Sequence, residues 1–131
     1  MAIQVSALFA GLLVLLYLVL GWRVVKERRR HQTGLGSGGH ESLERAIRVH
    51  ANFIEYVPLA LVLLLIMEIN QIPAWALWVY GATLLLARVL HAQGLGKAAG
   101  KSFGRFYGTL VTWILLTVGS LVVIIQPWIA G

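Results

Sequence analysis

Six polar residues, Glu41, Glu44, Arg45, Arg48, Asn52 and Glu55, lead into and then enter a long apolar run that continues past Pro58. On a helix each residue advances about 100°, so the six share one stripe roughly 100° wide, while His50 and Phe53 point elsewhere. Arg48, Asn52 and Glu55 lie closest to the apolar run, and each would cost on the order of 1–3 kcal/mol if it faced hydrocarbon. They must face a cavity or neighbouring helices. A cation, an amide and an anion in that order can hold a ligand carboxylate at Arg48 and a ligand ammonium at Glu55, with Asn52 serving either. The same residues could instead form a structural network, Glu55 pairing with Arg48 or with Arg88 of a later segment, and residue types alone leave both readings open.

The chain that must position this stripe has 131 residues, 59% apolar and only 12% charged, with a mean hydropathy of +0.80. That balance identifies an integral membrane protein of one domain, in which helices bury one another. Eleven Lys and Arg against five acids give +6, but the charges sit at helix ends, so nucleic acid is not an expected partner. With no cysteine, any thiol chemistry must use the sulfur of a substrate.

Four spans are expected in an all-α bundle: Ile3–Arg30, Glu41–Asn70, Pro73–Ala92 and Phe103–Pro127. The first begins without a basic region and reads as a retained span rather than a signal peptide. Gly34, Gly36, Ser37, Gly38 and Gly39 give the connection after it a flexible-linker composition. Pro58 is expected to kink the second span modestly. Asn70-Gln71-Ile72-Pro73 is a tight polar turn, with proline placed to open the third span. Trp75, Trp78 and Tyr80 at its start suit a membrane interface. Gln93–Ser102 reads as a glycine-rich basic loop. Gly96, Gly100, Gly104 and Gly108 recur every four residues, a smooth seam for close helix approach wherever the stretch is helical. The basic residues cluster in the two loops on one side, which the positive-inside rule places in the cytoplasm, with both termini opposite.

Several other groups carry two readings each. Arg105 at the start of the fourth span can snorkel to headgroups or serve a ligand. His91 at a helix end can be a structural hydrogen-bonding group or line a site. The cluster from Arg23 to Arg30 is first of all a topology signal. The four histidines share no ligand spacing, so no metal site is expected.

Two patterns carry a family resemblance. Glu44-Arg45-x-x-Arg48-x-His50-x-Asn52-x-x-Glu55-Tyr56-x-Pro58, in a four-span chain of this length, resembles the MAPEG family, the membrane-associated proteins of eicosanoid and glutathione metabolism. Ala87-Arg88-x-x-His91-x-x-Gly94, followed by Arg105-x-x-Gly108, resembles the end of that family's third span and the start of its fourth. The resemblance implies a homotrimer of four-helix subunits with sites between neighbouring subunits near the cytoplasmic face, where glutathione is the co-substrate. Carried over by position, Arg48, Asn52, Glu55 and Tyr56 match glutathione-binding positions, and Arg88 and His91 match positions that line or brace that site. Arg28 matches a first-helix arginine directed at the ligand's carboxylate, and Arg105 an arginine that stabilises the thiolate. A free thiol with a pKa of about 8.5 is only a few per cent ionised at neutral pH, and a nearby guanidinium favours the anion. Leu95 stands where some leukotriene-making members carry a tyrosine, which argues against eicosanoid synthesis.

The expectation is therefore a membrane glutathione transferase or peroxidase for lipophilic electrophiles that enter from the bilayer. Two alternatives stand beside it. One is a non-catalytic lipid- or amphiphile-binding scaffold of the same fold. The other is a small proton-coupled multidrug exporter built on Glu55, against which Arg48 and Asn52 suit an anion.

Overall fold

The computed structural model describes residues 3–97 and 103–130, which form four helices: α1 (Val5–His31), α2 (Glu41–Ile69), α3 (Ala74–Lys97) and α4 (Phe103–Ala130). All four contain a stretch long and apolar enough to cross a membrane, so the chain is an all-α, multi-pass integral membrane protein. α2 and α3 form the middle of the bundle; α1 packs on both, α4 packs on both, and the described parts of α1 and α4 do not meet.

The core follows the apolar faces that the stripe on α2 leaves over. Leu43, Val49, Phe53, Val57, Ala60 and Leu64 recur at helical spacing and are buried. From Val49 onward they meet Phe9, Leu13 and Leu20 of α1 and Leu77, Tyr80 and Leu84 of α3 in one cluster. His50 and Phe53 do point away from the stripe: both stack on Tyr17 of α1, with ring centroids 4.9 and 5.9 Å away. Leu15, Leu18 and Val19, by contrast, remain exposed along α1, as a lipid-facing surface requires.

Gly81 marks the closest approach of α1 to α3. A Cβ built there would lie 2.2 Å from a ring carbon of Phe9, whose ring also meets Trp78 edge-on at 5.5 Å. Any larger side chain there would have to displace the buried Phe9 ring.

The end of α1 remote from the basic loops is closed by a side chain from another helix. Glu68, in the last turn of α2, accepts hydrogen bonds from the backbone N–H groups of Gln4 (2.9 Å), Val5 (2.9 Å) and Ser6 (2.6 Å). The first N–H groups of a helix have no partner within it, and hydrocarbon offers none. A carboxylate satisfies them and also suits the positive end of the helix dipole.

Four expectations change. The linker after α1 is tied rather than loose: Arg28 donates to the carbonyls of Thr33 (3.2 Å) and Gly36 (2.9 Å), and His31 stacks on His40 at 3.8 Å. Tyr80 is buried instead of interfacial, its hydroxyl donating to the carbonyl of Ala60 at 2.9 Å. α3 continues through Gln93 to Lys97, where a loop was expected, since glycine lowers helix propensity without forbidding a helix. α4 likewise runs past Pro127 to Ala130. Gly100 of the four-glycine seam lies outside the described residues.

Candidate functional site

At the basic end of the bundle the polar stripe of α2 meets α3 and α4. Arg88 is the largest fully buried side chain, 1% exposed, a position an arginine holds only with partners. One arm of its guanidinium donates to Asn52 Oδ1 of α2 at 2.5 Å, and the other reaches Thr112 Oγ1 of α4 at 3.5 Å. Its carbon also lies 5.9 Å from the Phe53 ring centroid, over the ring. A single side chain thus joins three helices, while its Nε atom is buried without a hydrogen-bond partner among the described residues.

Thr112 can accept from Arg88 because its own hydroxyl proton goes elsewhere, to the Gly108 carbonyl at 2.7 Å. Gly108 is the point where α4 touches α3. A Cβ there would lie 2.7 Å from both the Ala87 carbonyl oxygen and the His91 Cβ, so only glycine allows the approach. The seam expected from the glycine spacing is realised as a close approach at Gly108, and Gly104 one turn earlier is also buried.

Arg48 and Glu55 occupy the open side of the stripe. They pair with each other at 3.6 Å, and each side chain remains about half exposed, at 50% and 49%. The pairing expected as Glu55 with Arg48 or Arg88 therefore resolves to Arg48, since Arg88 is engaged by Asn52. Tyr56, half-buried, faces Trp113 of α4 with ring centroids 6.4 Å apart and lies within electrostatic range of Arg88.

His91 is buried at 2% exposure, and its Nδ1 has no hydrogen-bond partner among the described residues. Arg88, Arg105 and Arg48 all lie close enough to act on it electrostatically. Arg105 stands half-buried on the first turn of α4, and three guanidinium groups thus converge on one end of the bundle. Such an arrangement favours an anion.

Arg48, Asn52, Glu55, Tyr56, Arg88, His91 and Arg105 therefore form one neighbourhood. Arg28 is held apart, engaged with the linker carbonyls. The residue that sequence reasoning misses is Thr112, which reads as one more small residue in an apolar span. Its signal is the spacing Gly108-x-x-x-Thr112, which puts a hydroxyl beside the seam.

Known proteins match nearly the entire chain in sequence. The MAPEG family model matches residues 6–125. The inner membrane protein YecN of Escherichia coli K12 is 36% identical over 126 residues, covering 95% of each chain. The protein sll1147 of Synechocystis is 33% identical over 120 residues, covering 91% of this chain and 87% of that one. The polar stripe, the buried arginine and the glycine contact all fall within the matched residues, and the chain belongs to the MAPEG family.

Proposed function

We propose that this chain is a membrane glutathione transferase or peroxidase, with glutathione bound along the stripe at the basic end. The observation that carries the reading is the contrast within the stripe: Asn52 is pinned by buried Arg88, while Arg48 and Glu55 keep half of their surface open. A preoriented amide flanked by one accessible cation and one accessible anion suits a zwitterionic peptide. On binding, Arg48 exchanges Glu55 for a ligand carboxylate, and Glu55 exchanges Arg48 for the ligand ammonium.

Arg105 is assigned to the sulfur. Its guanidinium favours the thiolate, which attacks an electrophilic carbon held beside it. A carbon–sulfur bond forms, and the leaving group departs with the electron pair of the bond that breaks. Positioning and thiolate stabilisation supply the rate. The open face at Arg48 and Glu55 suits closure by a neighbouring copy, in keeping with a homotrimer whose sites lie between subunits. Arg28 would contribute from that neighbouring position. By the positive-inside rule the basic end, and with it the site, faces the cytoplasm, while both termini lie on the other side. The second substrate, a lipophilic electrophile, would enter from the bilayer.

Isothermal titration of the detergent-solubilised protein with glutathione tests this. Binding is expected in the wild type, weakened at least tenfold in Arg48→Ala and in Glu55→Gln. Arg105→Ala should leave glutathione bound but lower the ultraviolet thiolate absorbance and the conjugation rate together. Absence of binding by the wild type would overturn the reading in favour of a non-catalytic amphiphile binder of the same fold. The mutual satisfaction of Arg48 and Glu55 without any ligand is the feature that favours this second reading.

A further inference from the structure

A second polar recess lies on the adjoining face of α2, with Arg45 at the border between it and the stripe, and the function proposed above does not use it. It is a cleft of about 410 Å³ between α1, α2 and the later turns of α3, with Arg23, Lys26 and Glu27 on one wall and Ser42, Arg45 and Gln93 among the groups facing them. Its volume falls within the range of small-molecule sites. Leu20, Val49 and Ala92, all at most 4% exposed, form its apolar floor.

The charges in the cleft are unequally committed. Glu27 is taken up by Ser42 at 2.7 Å, His31 at 3.2 Å and Arg30 at 3.7 Å. Arg45 is paired with Glu41 at 2.8 Å. Arg23 and Lys26, one helical turn apart on α1, have no hydrogen bond or ion pair among the described residues. The single acid of the cleft is thus engaged by Ser42, His31 and Arg30 rather than by Arg23 or Lys26, and these two cations are left facing a recess with an apolar floor.

The depth of the cleft narrows the choice of anion. Leu15, Leu18 and Val19 are exposed on the outside of α1, and Trp22, 54% exposed, follows them. An exposed tryptophan between lipid-facing aliphatics and a basic cluster lies at headgroup level. A phosphate ester is the anion that belongs at that depth, and its oxygens can meet an arginine fork and a lysine ammonium together. We infer that the cleft between α1, α2 and α3 binds a phosphate ester, Arg23 and Lys26 holding its oxygens over the floor made by Leu20, Val49 and Ala92. A phospholipid headgroup or a soluble phosphate ester could supply the group, and the two sources separate experimentally.

The test is native mass spectrometry of the delipidated full-length protein in nonionic detergent, offered phosphatidylglycerol and phosphatidylcholine, with glycerol 3-phosphate titrated in parallel by thermal shift. If a lipid supplies the group, phosphatidylglycerol is retained at least tenfold over phosphatidylcholine. If the source is soluble, glycerol 3-phosphate raises the unfolding temperature and the lipid preference is absent. In either case Arg23→Gln and Lys26→Gln should each weaken binding threefold or more, and the double variant should abolish it. Arg29→Gln removes the same charge from a side chain that lies over Trp22 instead of lining the cleft, and should leave binding unchanged. Ala46→Leu narrows the cleft without altering charge and should also abolish binding, which keeps the test decisive if the charge variants fold poorly. The proposal is overturned if neither ligand binds, if Arg29→Gln weakens binding as much as Arg23→Gln, or if Ala46→Leu binds like the wild type.

Discussion

Glu55 in the middle of α2 and Glu68 in its last turn both fall within its apolar portion, and the two glutamates are treated in opposite ways. Glu68 is buried and accepts three backbone N–H groups from the start of α1. Glu55 is half exposed and meets one guanidinium at 3.6 Å. Hydrocarbon penalises any charge left without partners. Glu68 meets that demand by becoming part of the architecture, whereas Glu55 meets it with a partner that a ligand can replace. A carboxylate in a membrane helix is thus available for binding to the extent that its present contacts are few and exchangeable.

Substitutions break or sharpen this contrast in a definite order. Glu68→Ala should be the most damaging, because it strands three backbone donors at about 1–3 kcal/mol each; thermal unfolding in detergent should show a loss on the order of 4 kcal/mol. Glutathione binding by the folded fraction at low temperature should survive, which separates the two halves of the helix. Arg88→Ala comes next, expected to cost on the order of 3 kcal/mol through lost packing and the orphaned Asn52 and Thr112 groups, and here glutathione titration should weaken along with stability. Gly108→Ala should cost about 2 kcal/mol by overpacking α4 against α3, read as a lower unfolding temperature. Glu55→Gln is expected to change stability by less than about 1 kcal/mol, as for other exposed ion pairs, while titration shows the glutathione affinity falling. If Glu55→Gln destabilises the protein as much as Glu68→Ala does, the distinction between the two glutamates fails.

Much of the polar stripe is legible in the sequence because it depends on local periodicity. The stated separation of His50 and Phe53 from Arg48, Asn52 and Glu55 follows from helical geometry, and the stacking of the first two on Tyr17 agrees with it. The four spans are equally local, since length and apolarity define them. What the sequence withholds is contact between distant segments. Glu68 reads as an interruption in an apolar run, and nothing near it announces that the start of α1, 62 to 64 residues away, needs an acceptor. Tyr80 reads as interfacial because aromatic rings often are, yet its hydroxyl finds the Ala60 carbonyl inside the bundle. The glycines after Gln93 suggest a loop, but each costs a helix only about 1 kcal/mol, a preference and not a prohibition, and α3 runs through to Lys97.

The cap at Glu68 has a mechanical consequence when taken together with the other end of the same helix. At the basic end α1 is fastened to α2 by Glu27 and His31, both on Ser42; at the far end it is fastened to α2 again by Glu68. A rod pinned to its neighbour at both ends cannot act as a piston. Advancing α1 by a single residue, about 1.5 Å, would break the attachments at both ends at once. The relative heights of Arg23, Lys26 and Ser42 are thereby locked, and any movement that opens or closes the space between α1 and α2 must be a tilt or a twist.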